Sequence, residues 1–201
     1  MKHLNLILFI VCTQLFSQTP TTRTLGEFSE LKVYDLINVE LIKASENKII
    51  ISGANSNNIN IIQKNSTLKI RMKLKYKFNG AETQVKIYYT GIDVIDANEG
   101  SFVFSKDIIK QYEIVLKAQE GSQISVKTET KQLIVKSVTG SAITTTGTSE
   151  NQEITIRTGG VYKGGSNTAE NTDLSIKTGG EAAVKTTNVL DINIFAGGDV
   201  F

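Results

Sequence analysis

The sequence predicts an all-β chain: a single-domain β-helix, or β-solenoid, with coils of about 20 residues and an irregular, strand-rich N-terminal cap. Two patterns carry this. The first is a repeat of short alternating strands, Glu113–Lys117, Gln132–Lys136, Glu153–Arg157, Asp173–Lys177 and Asp191–Phe195, whose starts are 19, 21, 20 and 18 residues apart. Side chains alternate between the two faces of a strand, so Ile114, Leu133, Ile154, Leu174 and Ile192 share a face with Leu116, Val135, Ile156, Ile176 and Ile194. The second pattern is the punctuation. Each strand runs into a small residue and then a glycine turn at Gly121, Gly140, Gly159-Gly160, Gly179-Gly180 or Gly197-Gly198. One such unit cannot bury its apolar row, whereas stacked units form a continuous core. The i, i+3, i+4 spacing of helical solenoids is absent. An up-and-down barrel or a sandwich is the alternative reading of the same strands.

The elements follow in order along the chain. Residues 1–17 carry Lys2, an apolar run from Leu4 to Val11 broken by Asn5, and small Ser17, the pattern of a cleaved secretory signal. That run is shorter than the roughly 20 apolar residues a membrane-spanning helix needs. Residues 18–23 are expected to be a short linker, and 24–201 the folded domain. Within it, 24–84 forms N-terminal strands and cap, with strands expected at Phe28–Glu40, Leu41–Ser52, Ile59–Gln63 and Thr67–Phe78. Terminal units of a solenoid are atypical because they cover its edge. Residues 85–201 form the repeat coils. One pair aligns without gaps, Val94–Ser101 over Val115–Ser122, and second short strands follow the turns at Ser122–Lys127, Ala142–Thr146 and Ala182–Thr186. Thr144–Thr148 and Tyr162–Asn167 read as exposed loops.

Composition excludes several chemistries. The chain has 201 residues, a formal charge of +2, one His and one Cys. His3 and Cys12 both fall in the expected signal, so the mature domain would have no imidazole or thiol for Ser-His-Asp or Cys-His catalysis, or for zinc. The near-neutral charge does not suggest nucleic acid as a partner. No cofactor is expected.

The chain resembles the auto-transporter adhesin head domain family, known as the head GIN domain. The residues that carry the resemblance are Thr24–Val33, Asn38–Leu41, Ser66–Ile70, the repeated Thr-Gly-Gly units and the terminal Ala196-Gly197-Gly198-Asp199-Val200. It covers roughly 24–201. It implies a β-helical, cell-surface or periplasmic module with no established enzymatic activity, and it brings no active site with it. Family members run on past this point with a further strand and tail, whereas the sequence stops at Phe201.

Candidate sites are few. Alternation across Arg71–Phe78 would place Lys69, Arg71, Lys73, Lys75 and Lys77 in one row, a surface for an anionic glycan or lipopolysaccharide phosphates, or an edge protected from pairing. The aromatics of that segment would face the other way. Stacking the repeats as aligned gives an acidic and amide column, Glu113, Gln132, Glu153, Asp173 and Asp191, and a basic column, Lys117, Lys136, Arg157 and Lys177. Calcium could bridge Glu153 and Asp173, although solvent screens the strand ends and no metal site is assigned. Asp93, Asp96 and Glu99 are close in sequence but do not share a face, so no acid–base pair is assigned. The glycine pairs lack the Lys-Ser/Thr of a phosphate loop. The expectation is an exported, non-catalytic interaction module whose partner is envelope or extracellular glycan or another surface protein. The rival readings are a structural spacer and a polysaccharide-active enzyme.

Overall fold

The computed structural model describes residues 20–201. The expected signal peptide, 1–17, lies outside the described residues. The chain forms a β-solenoid of about 5 turns, and the strands join into one 14-stranded sheet wrapped around a common core. The strands are β1 (Thr21–Thr24), β2 (Glu30–Val33), β3 (Asn38–Lys43), β4 (Lys48–Gly53), β5 (Ile59–Lys64), β6 (Thr67–Met72), β7 (Thr83–Tyr89) and β8 (Val94–Ala97). The long strands β9 (Phe102–Ala118), β10 (Gln123–Val138), β11 (Ala142–Arg157), β12 (Gly160–Ile176) and β13 (Gly180–Ile194) each wrap both faces of the solenoid, and β14 (Asp199–Val200) follows.

One face runs β1-β4-β7-β3-β9 and on through β10 to β14. The other runs β5-β6-β2-β8 and joins the second halves of the long strands through β8 and β9. At the N-terminal end β4 lies antiparallel to β7, β5 antiparallel to β6, and β1 antiparallel to β4. These reversed strands form the cap. Residues 21–23, expected in a linker, belong to β1, because its β-branched threonines and one arginine suit a fully exposed edge strand.

Each coil closes through a tight turn with two consecutive left-handed residues, Glu99-Gly100, Glu120-Gly121, Thr139-Gly140 and Thr158-Gly159, with φ between 50° and 71°. Two positive φ values with an i to i+3 bond, such as Ser101 N to Asn98 O at 3.1 Å, identify a type I′ turn. The turns stack: Gly100 N donates to Glu120 O, Gly121 N to Thr139 O and Gly140 N to Thr158 O. Behind them runs a buried column, Ser101, Ser122, Ser141 and Gly160, which ends at half-buried Gly180. Each serine hydroxyl donates to a carbonyl of the preceding coil, Ser122 to Ala97 O at 2.6 Å and Ser141 to Ala118 O at 2.7 Å. The column changes to glycine where space runs out: a Cβ on Gly160 would lie 2.2 Å from Ser137 O.

The interior is apolar along most of its length, with Leu31, Leu68, Ile95, Leu116, Val135, Ile154 and Ile176 nearly solvent-free. At the corner far from the turns it becomes polar. There Gln152 donates to Ser149 and Asn167, and Asn167 donates to Thr128 at 2.7 Å. Buried polar groups are tolerated where they bond to one another. Tyr162 and Asn167, expected in an exposed loop, are fully buried in β12. Gly164 makes this possible, since a Cβ there would sit 2.3 Å from the Tyr162 ring. Thr144–Thr148 is likewise within β11, with Thr145 buried against the Tyr162 hydroxyl at 2.7 Å.

The gapless pair Val94/Val115 to Ala97/Ala118 holds in the structure. The next alignment needs correction. Gln132 pairs with Asn151, not Glu153, and Lys136 with Thr155, not Arg157. The cause is the turn ladder, which stacks Gly140 on Thr158. A slip of two residues keeps every side chain on its face, so alternation alone cannot detect it. At the last coil Ile192 and Ile194 are 41% and 43% exposed, because β14 pairs only with Glu181 and Ala182.

Candidate functional site

The basic row does not form. β6 ends at Met72, and Leu74–Tyr76 is a short 3-10 turn. Lys69 and Arg71 stay on the strand, over the Tyr34 ring at 5.5 and 5.7 Å. Lys73 donates to Asn57 O at 2.9 Å, and Lys77 pairs with Glu99 at 3.1 Å. Lys75 lies over Tyr76 at 5.8 Å. The strand stops because the chain must turn into β7. Asp35, fully buried, provides the stop by accepting from Met72 N at 3.0 Å and Phe78 N at 3.2 Å.

The corrected register also splits each of the two charge columns between β10 and β11. Glu113, Gln132, Asn151 and Asn171 stack, and the Asn171 side-chain amide donates a hydrogen bond to Asn151 Oδ1 at 3.0 Å. Glu153, Asp173 and Asp191 are neighbours in a separate column that continues from Val94, Val115 and Ile134. Lys117 and Lys136 continue from Asp96, which pairs with Lys32 at 3.6 Å. Asp96 and Glu99 are thus held by different lysines. Among the described residues no group of three or more His, Cys, Asp or Glu side chains is placed to hold a metal ion.

A surface that the strand pattern did not single out is the outer face of β7, β3 and the start of β9. Phe102 and Phe104 point outward because Val103 between them fills the core. Their rings stack with centroids 5.2 Å apart and planes 18° from parallel. In register beside them stand Asn38 and Glu40 on β3, then Gln84 and Lys86 on β7. On the other side Gln123 and Ser125 of β10 come next, followed by Ala142 and Thr144 of β11, short side chains beyond the rings. The hollow bounded by Asn38, Glu40, Gln84, Lys86 and the two rings has a volume of about 440 Å³. Glu40 receives the Lys106 ammonium at 2.8 Å and lies 3.7 Å from Lys86. The bond from Lys106 holds its carboxyl below the usual carboxylate range, against a smaller opposing effect of burial. The result is a half-exposed aromatic pair ringed by amide donors and acceptors and by a fixed carboxylate with two ammonium groups. The signal was present in the sequence: extending the Val94/Val115 alignment past Ser101/Ser122 puts Val103 over Ile124 and sends both phenylalanines outward.

No helix among the described residues is long and apolar enough to cross a membrane. Solenoid, stacked turns and antiparallel cap define a β-helical domain. The chain belongs to the family described as "Putative auto-transporter adhesin, head GIN domain", whose model matches residues 27–201. It is similar in fold to a "putative adhesin" of Bacteroides fragilis, with TM-score 0.76 and 15% identity over 92% of this chain and 97% of that one. A "putative adhesin" of Parabacteroides distasonis aligns with TM-score 0.62 and 15% identity over 90% and 95% of the two chains. A "Putative lipid binding protein" of the same species gives TM-score 0.62 and 12% identity over 92% and 97%. Among curated proteins none matches the sequence.

Proposed function

We propose that the protein is an exported, non-catalytic interaction module that engages envelope or extracellular glycan through the outer face around Phe102 and Phe104. The observation that carries this reading is the stacked ring pair beside Asn38, Glu40, Gln84 and Lys86. A sugar ring has an apolar face of C–H groups and a rim of hydroxyls. Aromatic surface takes the first, and amides, carboxylate and ammonium groups bond the second. Membership of an adhesin family and the N-terminal signal pattern support export to the cell surface or periplasm. Family membership also favours a binding role over catalysis. Lys69 and Arg71, adjacent over Tyr34, are proposed as a further contact for acidic sugars on the opposite face.

The test is retention of the protein on immobilised bacterial envelope and capsular polysaccharides, compared with the Phe102→Ala/Phe104→Ala variant. Binding by the native protein and loss of at least tenfold in the variant are expected. Retention unchanged by the double substitution would overturn the assignment, as would release of product from any of these polysaccharides. A spacer without ligand would show no retention in either form.

A further inference from the structure

At the turn edge of the solenoid the regular coils pass from one face to the other in two to four residues between strands. The coil made by β6 and β7 uses residues 73–82 instead. This excursion is not loose. Asp35 holds both of its ends through Met72 N and Phe78 N, and Gly80 N donates to the Asp35 carbonyl at 3.1 Å. Asn55 donates to Asn79 O at 2.9 Å, and Tyr76 packs against the core. Asp35 and Leu36 adopt φ of 61° and 63° in the matching turn, where the other coils carry glycine at the second position. Such strain in residues with a Cβ persists where the surroundings impose it.

What this rigid loop presents is unusual for a surface in water. Leu74 is 85% exposed and Phe78 52%. Between and beside them stand Lys73, Lys75 and Lys77. Glu99 neutralises Lys77, whereas Lys73 and Lys75 have no carboxylate partner among the described residues. The combination of fixed apolar tips and ammonium groups whose charge no carboxylate neutralises is what interfacial lipid binding requires.

We propose that residues 73–79 form a wedge that docks the protein on an anionic lipid surface. Leu74 and Phe78 enter the headgroup boundary, and Lys73 and Lys75 meet the lipid phosphates. The site is distinct from the Phe102–Phe104 face and is tested separately. The native sequence contains no Trp, so Phe78→Trp places a single indole at the tip, excited selectively over the tyrosines. Its emission is expected to shift to the blue with vesicles of phosphatidylglycerol and phosphatidylethanolamine, and to remain unshifted with pure phosphatidylcholine. Each such lysine near a charged surface changes partitioning by about five-fold, so Lys73→Gln/Lys75→Gln should lower vesicle association by roughly 25-fold. Leu74→Ser, an exposed position that folding does not depend on, should weaken it as well. High salt should reduce what charge contributes. Absence of a shift with anionic vesicles, in protein whose circular dichroism shows the native strands, would overturn the proposal. So would equal association with phosphatidylcholine. Binding to a soluble polyanion such as dextran sulfate without vesicle association would likewise overturn it, in favour of an anionic glycan.

Discussion

Gly159 and Gly160 are adjacent, yet the structure assigns them different reasons for lacking a side chain. At Gly159 φ is 71° and nothing lies within 4 Å of an added Cβ. Gly159→Ala therefore meets only the left-handed penalty, about 1 kcal/mol. At Gly160 an added Cβ would sit 2.2 Å from Ser137 O and 2.5 Å from Ser137 C. Relieving that overlap moves the start of β12 by roughly 1 Å, given ordinary contact near 3.4 Å. The bonds at risk are Val161 N to Ser141 O at 2.9 Å and Val161 N to Ser137 Oγ at 3.1 Å. The single Val161 N–H shared between these two acceptors is worth about 1 kcal/mol, and overpacking against Ser137 beside Tyr162 adds roughly 2–3 kcal/mol more. Gly160→Ala should thus cost about 3–4 kcal/mol, lowering the midpoint of thermal unfolding by roughly 10 °C, against about 3 °C for Gly159→Ala. Thermal and urea unfolding followed by circular dichroism measure both. Equal losses in the two variants, or a Gly160→Ala protein as stable as the native one, would refute the close-approach argument.

Two further outcomes follow from buried and paired groups. Tyr162→Phe leaves the Thr145 hydroxyl without its partner and should cost about 1–2 kcal/mol, while adding Thr145→Val should restore most of the loss; additive destabilisation in urea melts would count against the pairing. Burial raises the Tyr162 phenol to about 12, so it should not ionise in an absorbance titration until the pH exceeds that of a free tyrosine, unless the protein unfolds first. Glu40 is held below its ordinary value of 4.5 by Lys106. A lowered folded-state pKa gives stability that is present above the unfolded value and lost as pH falls through the folded one. The native protein's advantage over Glu40→Gln, read as a difference in melting midpoint, should therefore be full at neutral pH and shrink below about pH 4.5. A gap constant down to about pH 3 would contradict that linkage.

Much of the architecture was legible in the chain because solenoid formation is local and periodic. The alternation at Ile114/Leu116 through Ile192/Ile194 and the glycine turns identified coils, core face and corners without reference to distant residues. The ends of strands were less legible. Nothing in Thr67–Phe78 breaks alternation, yet β6 stops at Met72 because a carboxylate far away in sequence, Asp35, captures the backbone there. The turn at Asp35-Leu36 was hidden for a related reason, since it uses left-handed residues other than glycine.

The sequence by itself determined the fold class, the repeat length, the direction in which each repeat side chain points and the absence of imidazole and thiol beyond the first 17 residues. Those properties depend on residue type and on a period of two. Tertiary structure alone decided the register between β10 and β11 and, with it, which charges are neighbours across that step. Slipping Gln132 from Glu153 to Asn151 changes every outer column while leaving every face unchanged. It also decided that Phe102 and Phe104 stand beside Glu40 and Lys86, and that Leu74 and Phe78 project with their lysines. Such juxtapositions join residues that are far apart along the chain, and only the packed coils bring them together.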